Sequence, residues 1–121
     1  IDYGYLEKSM TDSLQAIMKH KNISILKNYG NADITYNINF KLIENLANHL
    51  KLKSQGVTSQ RNFLTKLGIF ERAEIISKYL SFSKKADIYF RLKRLIDKKE
   101  MGELFKVMLI TNKKTKFNIG F

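Results

Sequence analysis

The chain has 121 residues, 44% of them hydrophobic, and a formal net charge of +11, enough for one domain with a modest core and too apolar for a disordered polar chain. It contains no cysteine, which excludes disulfides, thiolate metal sites and a cysteine nucleophile. No apolar run approaches the roughly 20 residues of a membrane span, and Ile1-Asp2-Tyr3-Gly4-Tyr5 has neither the basic nor the apolar region of a signal peptide.

In chain order, residues 1–5 read as the end of a buried strand running into a turn. Such a beginning predicts that further structure belongs before Ile1. Residues 6–38 read as a loop or insert. Within it, 12–26 admits two readings: a helix with Leu14, Ile17 and Met18 on one face, or an extended segment at Ser13–Ile17. Asn28 to Thr35 is a loop by content, with Gly30 as its left-handed position.

A helix is predicted over 39–52. Ile43, Leu46, Ala47 and Leu50 form its apolar stripe, Asn39 is its N-cap, and Lys51 and Lys53 lie near its end. A strand follows at 53–58, then helices over 59–98. The first is capped by Ser59 and stopped by Gly68; the second has Ile69, Ala73, Ile76 and Leu80 along one side. The third runs from Lys84 to Asp97 with Ser83 as cap and Ile88, Leu92, Leu95 and Ile96 facing inward. The nearly continuous apolar run at 104–111 predicts a strand buried on both faces, entered sharply at Gly102. A last candidate strand covers 115–121. The alternation of strands and helices is an α/β pattern.

Self-sufficient chemistry is missing from the local motifs. The six glycines make no G-x-G, so there is no phosphate or dinucleotide loop, and neither G-x-S-x-G nor H-E-x-x-H occurs. His20 and His49 lie far apart without a carboxylate cluster, so no metal site is predicted. Of the 22 basic residues only Arg61, Arg72, Arg91 and Arg94 are arginine. Arginine is the side chain suited to gripping phosphates and base edges, so the lysine-dominated charge argues against a nucleic-acid partner.

Four segments read in order carry more. They are Asp2-Tyr3-Gly4, Ala32-Asp33-Ile34-Thr35-Tyr36-Asn37-Ile38-Asn39-Phe40, Gln60-Arg61-Asn62-Phe63-Leu64-Thr65-Lys66-Leu67-Gly68-Ile69 and Met101-Gly102-Glu103-Leu104-Phe105-Lys106-Val107. Together they resemble the MidA family of S-adenosylmethionine-dependent methyltransferases, whose mitochondrial members assist respiratory complex I assembly. Thr11-Asp12-Ser13-Leu14-Gln15-Ala16 resembles a further stretch of the family. The resemblance implies the C-terminal half of a Rossmann-like class I methyltransferase sheet with an inserted helical region. The donor-binding strands of the family precede its D-Y-G segment, so the chain is expected to lack the donor site, to bind no S-adenosylmethionine and to be inactive by itself.

By the same resemblance the acceptor would be a protein arginine nitrogen. Asp2 and Asp33 are the candidates for orienting it, although Asp2 serves equally as a cap for the following turn, and Asp33 as a local hydrogen-bonding residue. Tyr3, Thr35 and Gln60 are candidate acceptor-binding residues, each with an alternative role in packing or at a turn or helix end. The family pattern has aspartate where this chain has Asn39, and often histidine where it has Asn37. Neither amide can act as a general base. Two alternatives stand beside this reading. The chain could be a non-enzymatic remnant or split-gene module that pairs as a homodimer or with a separate N-terminal subunit, or a basic nucleic-acid binder. The compartment implied is the cytoplasm of a bacterium or the mitochondrial matrix of a eukaryote.

Overall fold

The computed structural model describes residues 1–7, 12–26, 30–112 and 118–121. Two sheets organise them. The larger contains β1 (Asp2–Tyr5), β5 (Ile38–Asn39), β6 (Lys53–Ser59) and β7 (Phe105–Thr111) in the order β5-β1-β7-β6. β1 runs parallel to β5, with Gly4 opposite Ile38, and antiparallel to β7, with Tyr3 opposite Phe105. β7 is therefore an interior strand, as its apolar run predicts. Val107 is buried in it, while Ile110 remains exposed.

The region expected to be a loop or insert instead holds a second sheet. Its strands are β2 (Gln15–Met18), β3 (Lys21–Ile23) and β4 (Asp33–Thr35), in the order β3-β2-β4. Of the two readings of 12–26, the extended one is correct. β2 and β3 are joined by Lys19 and His20, both at positive φ (50° and 60°), the geometry of a two-residue type I′ hairpin turn. Ala16, the central residue of the sheet, lies between Ile23 and Ile34 and is 1% exposed. Asp33–Thr35 corrects the loop assigned to Asn28–Thr35, because these residues complete the other edge of β2. Gly30 has the expected positive φ (89°).

Helix α1 (Phe40–His49) is capped as predicted, with Asn39 Oδ1 accepting from Leu42 N at 3.0 Å. It ends three residues earlier than predicted. Leu52 N donates to Ala47 O and Lys51 N to Asn48 O, the pair of bonds that defines a Schellman stop. Lys51 holds the left-handed position (φ 59°), and Lys53 already belongs to β6. Only part of the predicted stripe packs: Ala47 is buried and Ile43 half-buried, whereas Leu46 and Leu50 are exposed. A lysine in a left-handed conformation costs roughly 1 kcal/mol relative to glycine. Lys51→Gly is expected to raise Tm by about 4 °C, less the entropy glycine gives back to the unfolded chain, read by thermal circular dichroism.

β6 contains a bulge between Ser54 and Val57, where Gly56 takes φ 86° and its N–H donates to Ser54 Oγ at 3.1 Å. Helices α2 (Gln60–Lys66), α3 (Ile69–Ser77) and α4 (Phe82–Ile96) follow. Ser59 caps α2, and Gly68 (φ 77°) separates it from α3, both as predicted. α4 starts two residues before the predicted helix. Ser81, not Ser83, occupies its cap position, and Lys85 N donates to Ser81 O. The helical core is Ala73, Leu92 and Ile96, with Leu64, Ile69, Ile88 and Leu95 packed against it. Ile76, expected inside, is exposed.

A short helix, α5 (Met101–Leu104), precedes β7, so Gly102 does not admit a sharp turn into a strand. Its role is close approach: the Gly102 backbone lies directly on the carbonyls of Ile96 and Asp97 at the end of α4. The strand proposed for 115–121 is corrected in its described part, since Phe121 N donates to Asn118 O in a turn and Gly120 lies against the Phe63 ring. Residues 115–117 lie outside the described set.

Candidate functional site

β1 ends at Tyr5, beside β5 and the start of α1. The parallel pair β1–β5 leaves a cleft at its carboxyl end, the place where open α/β sheets take ligands. Residues 36–39 form one side. Asn37 N donates to Ser13 Oγ at 3.0 Å, which ties the strand-free stretch before β2 onto the same cleft. Leu42 and Ile43 from the first turn of α1 supply an apolar floor. The open cleft has a volume of about 550 Å³ and is lined also by Tyr5, Asp12, Leu14, Tyr36 and Ile38.

The charge of this cleft departs from that of the chain. The protein carries +11, yet among the described residues that line the cleft Asp12 is the single charged one, and the other polar groups there are hydroxyls and amides. Asn39 spends its side-chain oxygen on the α1 cap, so it adds no titrating group. Tyr5 and Tyr36 add two aromatic rings. A carboxylate, two rings and several amide or hydroxyl acceptors suit a cationic group and offer an anion little. A second cleft of about 580 Å³, between α2, α3 and α4, has the opposite character: its walls are aliphatic, with Arg72 and Arg91 as the charged lining residues.

None of the five residues singled out from sequence lines the first cleft. Asp2 is exposed and accepts from Tyr3 N at 2.8 Å, at the edge of its own strand. The Tyr3 ring stacks on Phe105, with centroids 4.3 Å apart. Asp33 and Thr35 come together on β4, opposite Ile17 and Gln15. Asp33 is exposed, whereas Thr35 Oγ1 is buried with no hydrogen-bond partner. Gln60 is 6% exposed and donates from Nε2 to Leu95 O at 3.0 Å, while Arg61 donates to Ile96 O at 2.9 Å. These two side chains close the carboxyl end of α4, whose last carbonyls have no partner within the helix.

Sequence reasoning does not single out Asp12, Tyr5 and Tyr36, which line the cleft. Asp12 belongs to the Thr11–Ala16 segment that resembles the family, but nothing local in that segment marks it as a ligand contact. Asp12 reaches residues 36–39 through the fold and not through any local spacing. Among the described residues no group of three histidine or acidic side chains is placed to hold a metal.

Residues 1–58 match the family described as "Putative S-adenosyl-L-methionine-dependent methyltransferase". The chain is 27% identical over 112 residues to the zebrafish (Danio rerio) mitochondrial protein arginine methyltransferase NDUFAF7, covering 93% of this chain and 26% of that protein. It is 30% identical over 105 residues to the mouse (Mus musculus) protein of the same name, covering 86% and 24%. With the Caenorhabditis elegans homolog it shares 35% identity over 72 residues, covering 60% and 17%. The chain thus spans about a quarter or less of the length of the curated relatives it matches. Two crystal structures of Burkholderia thailandensis proteins share the fold. The first, a native structure, has a TM-score of 0.83 at 24% identity, covering 98% of this chain and 33% of that one. The second, bound to S-adenosyl-homocysteine, has a TM-score of 0.78 at 23% identity, covering 98% and 32%.

Proposed function

Because the chain belongs to the MidA family of methyltransferases, we propose that its 121 residues form the acceptor-facing part of an S-adenosylmethionine-dependent domain that methylates a protein arginine nitrogen. The observation that carries this reading is the charge of the cleft at the end of β1. Asp12 is the one charged residue among its described lining residues in a protein of net charge +11, and the tyrosine rings that also line it suit the flat face of a guanidinium. The curated relatives are named as protein arginine methyltransferases, which agrees with such an acceptor.

The donor does not fit the residues present. An adenosyl group needs an open glycine turn at a strand end and an acidic partner for its ribose. The glycines here form no G-x-G, and Gly4, which lies at a strand's carboxyl end, is covered by Ile38 O and the Phe40 ring. In this reading the donor is held by parts of the relatives that these residues do not span. The chain's own work is to bind and orient the acceptor. Asp12 attracts the guanidinium, the rings of Tyr5 and Tyr36 flank it, and Leu42 and Ile43 keep water from its apolar side.

Calorimetry with a short arginine-containing peptide tests this. The Asp12 carboxylate is exposed, and a charge-assisted contact there is worth about 1 kcal/mol. Asp12→Asn is expected to weaken binding roughly fivefold and Asp12→Lys to abolish it, with Tm unchanged in both. Equal affinity across all three proteins would refute the assignment of Asp12.

A further inference from the structure

Helix α4 carries two apolar faces, and the core uses one. Ile88, Leu92, Leu95 and Ile96 pack inward. Phe82, Ala86, Tyr89 and Phe90 follow the helical spacing i, i+4, i+7 and i+8 on another side, and all are exposed. The corner between α3 and α4 extends this face. Tyr79 is 89% exposed and Phe82 is 87% exposed, so both rings stand clear of the surface, and Ile75 lies just before them at 75%. Neither ring lines the apolar cleft between α2, α3 and α4.

Lys78, Lys84 and Lys85 are the only charged residues between positions 78 and 85, and Lys78 Nζ lies 5.4 Å from the centre of the Tyr79 ring. Farther along α4 come Arg91, Lys93 and Arg94. Of the nearest acids, Asp87 is engaged by Arg91 at 3.0 Å and Glu74 lies back on α3. Protruding aromatic rings with lysines at neighbouring positions in the chain are a composition that settles at an anionic lipid–water boundary: the rings enter the headgroup layer while the ammonium groups meet lipid phosphates and carboxylates. A second copy of the chain is a poor occupant, because it would bring Lys78, Lys84 and Lys85 of each copy together in a protein already at +11.

We propose that the α3–α4 corner, led by Tyr79 and Phe82, is a peripheral docking surface for an anionic bilayer. No described helix is long and apolar enough to cross a membrane, so the association is interfacial. The 121-residue protein would be tested by flotation with phosphatidylcholine vesicles, with and without about one third phosphatidylserine. It is expected to float with the anionic vesicles only, and binding should fall as salt rises. Tyr79→Ser/Phe82→Ser, at positions too exposed to matter for folding, should abolish flotation, and each of Lys84→Gln and Lys85→Gln should lower partitioning about fivefold. Equal binding to neutral vesicles, no binding to anionic ones, or full binding by the Tyr79/Phe82 variant would each overturn the proposal. So would a dimer in light scattering that Tyr79→Ser/Phe82→Ser dissolves, since the face would then belong to a second copy.

Discussion

Gly102→Ala is expected to lower Tm by 10 °C or more, the largest fall of any single-methyl change in the helical half. A β-carbon at Gly102 would lie 2.5 Å from the Ile96 carbonyl carbon, 2.7 Å from Asp97 O, and closer still to Ile96 O. All three are backbone atoms, so no rotamer change relieves the overlap. Ile96 O is also the acceptor for Arg61, and Asp97 O the acceptor for the Gly102 N–H. Relief by moving α5 away from α4 would therefore break the Gly102–Asp97 bond, and relief by moving Ile96 O would break its bond from Arg61. Overpacking of this kind costs roughly 3 kcal/mol, a sizeable share of a stability of about 5–15 kcal/mol. Thermal denaturation followed by circular dichroism checks it; an unchanged Tm would mean that the α4–α5 approach is looser than described.

Gly4→Ala should act on the candidate site itself. Its β-carbon would meet the Phe40 ring at 2.5 and 2.6 Å, and Ile38 O on the neighbouring strand more closely still. Gly4 pairs with Ile38 across β1–β5, and Phe40 is the first residue of α1. Any relief displaces residues 38–40, which hold one wall of the cleft. The expected cost is about 2–3 kcal/mol, together with loss of arginine-peptide binding measured below the shifted Tm. Adding Phe40→Leu should restore only part of the stability, because the ring yields and the Ile38 carbonyl does not. Full recovery in the double variant would assign the whole effect to the ring.

These two glycines also give a physical account of the segments that suggested the family. Gly4 and Phe40 come from the first and second segments and touch across the strand pair. Gln60 and Arg61 of the third reach the end of α4, where Gly102 of the fourth also rests. The four segments thus include places where elements press on one another. That is why Gln60, read from sequence as a candidate ligand contact, turns out to hold a helix end. A buried amide at a helix start has the same sequence appearance whether it faces a substrate or a carbonyl.

The long elements were legible because their signals are local. The inward residues of α4 recur at helical spacing, and Asn39, Ser59 and Gly68 are residue types suited to helix boundaries. The second sheet was not, because its strands have three or four residues and its hairpin turns on Lys19-His20 instead of an Asn-Gly pair. Misplaced ends have a similar origin: Lys51 stops α1 in a conformation usually given to glycine. The cleft was hidden for a different reason. Asp12 and residues 36–39 are joined by the Ser13–Asn37 bond and the β2–β4 pairing, contacts between positions more than fifteen residues apart that no periodicity announces.

The central question is whether the cleft at the end of β1 receives a guanidinium group. Amide chemical-shift mapping of the 121-residue protein, titrated with an arginine peptide and separately with its citrulline counterpart, answers this directly. The prediction is saturable shifts at Tyr5, Asp12, Tyr36 and Asn37 with the arginine peptide and none with the uncharged one. Shifts gathered around Arg72 and Arg91, or identical shifts with both peptides, would contradict it.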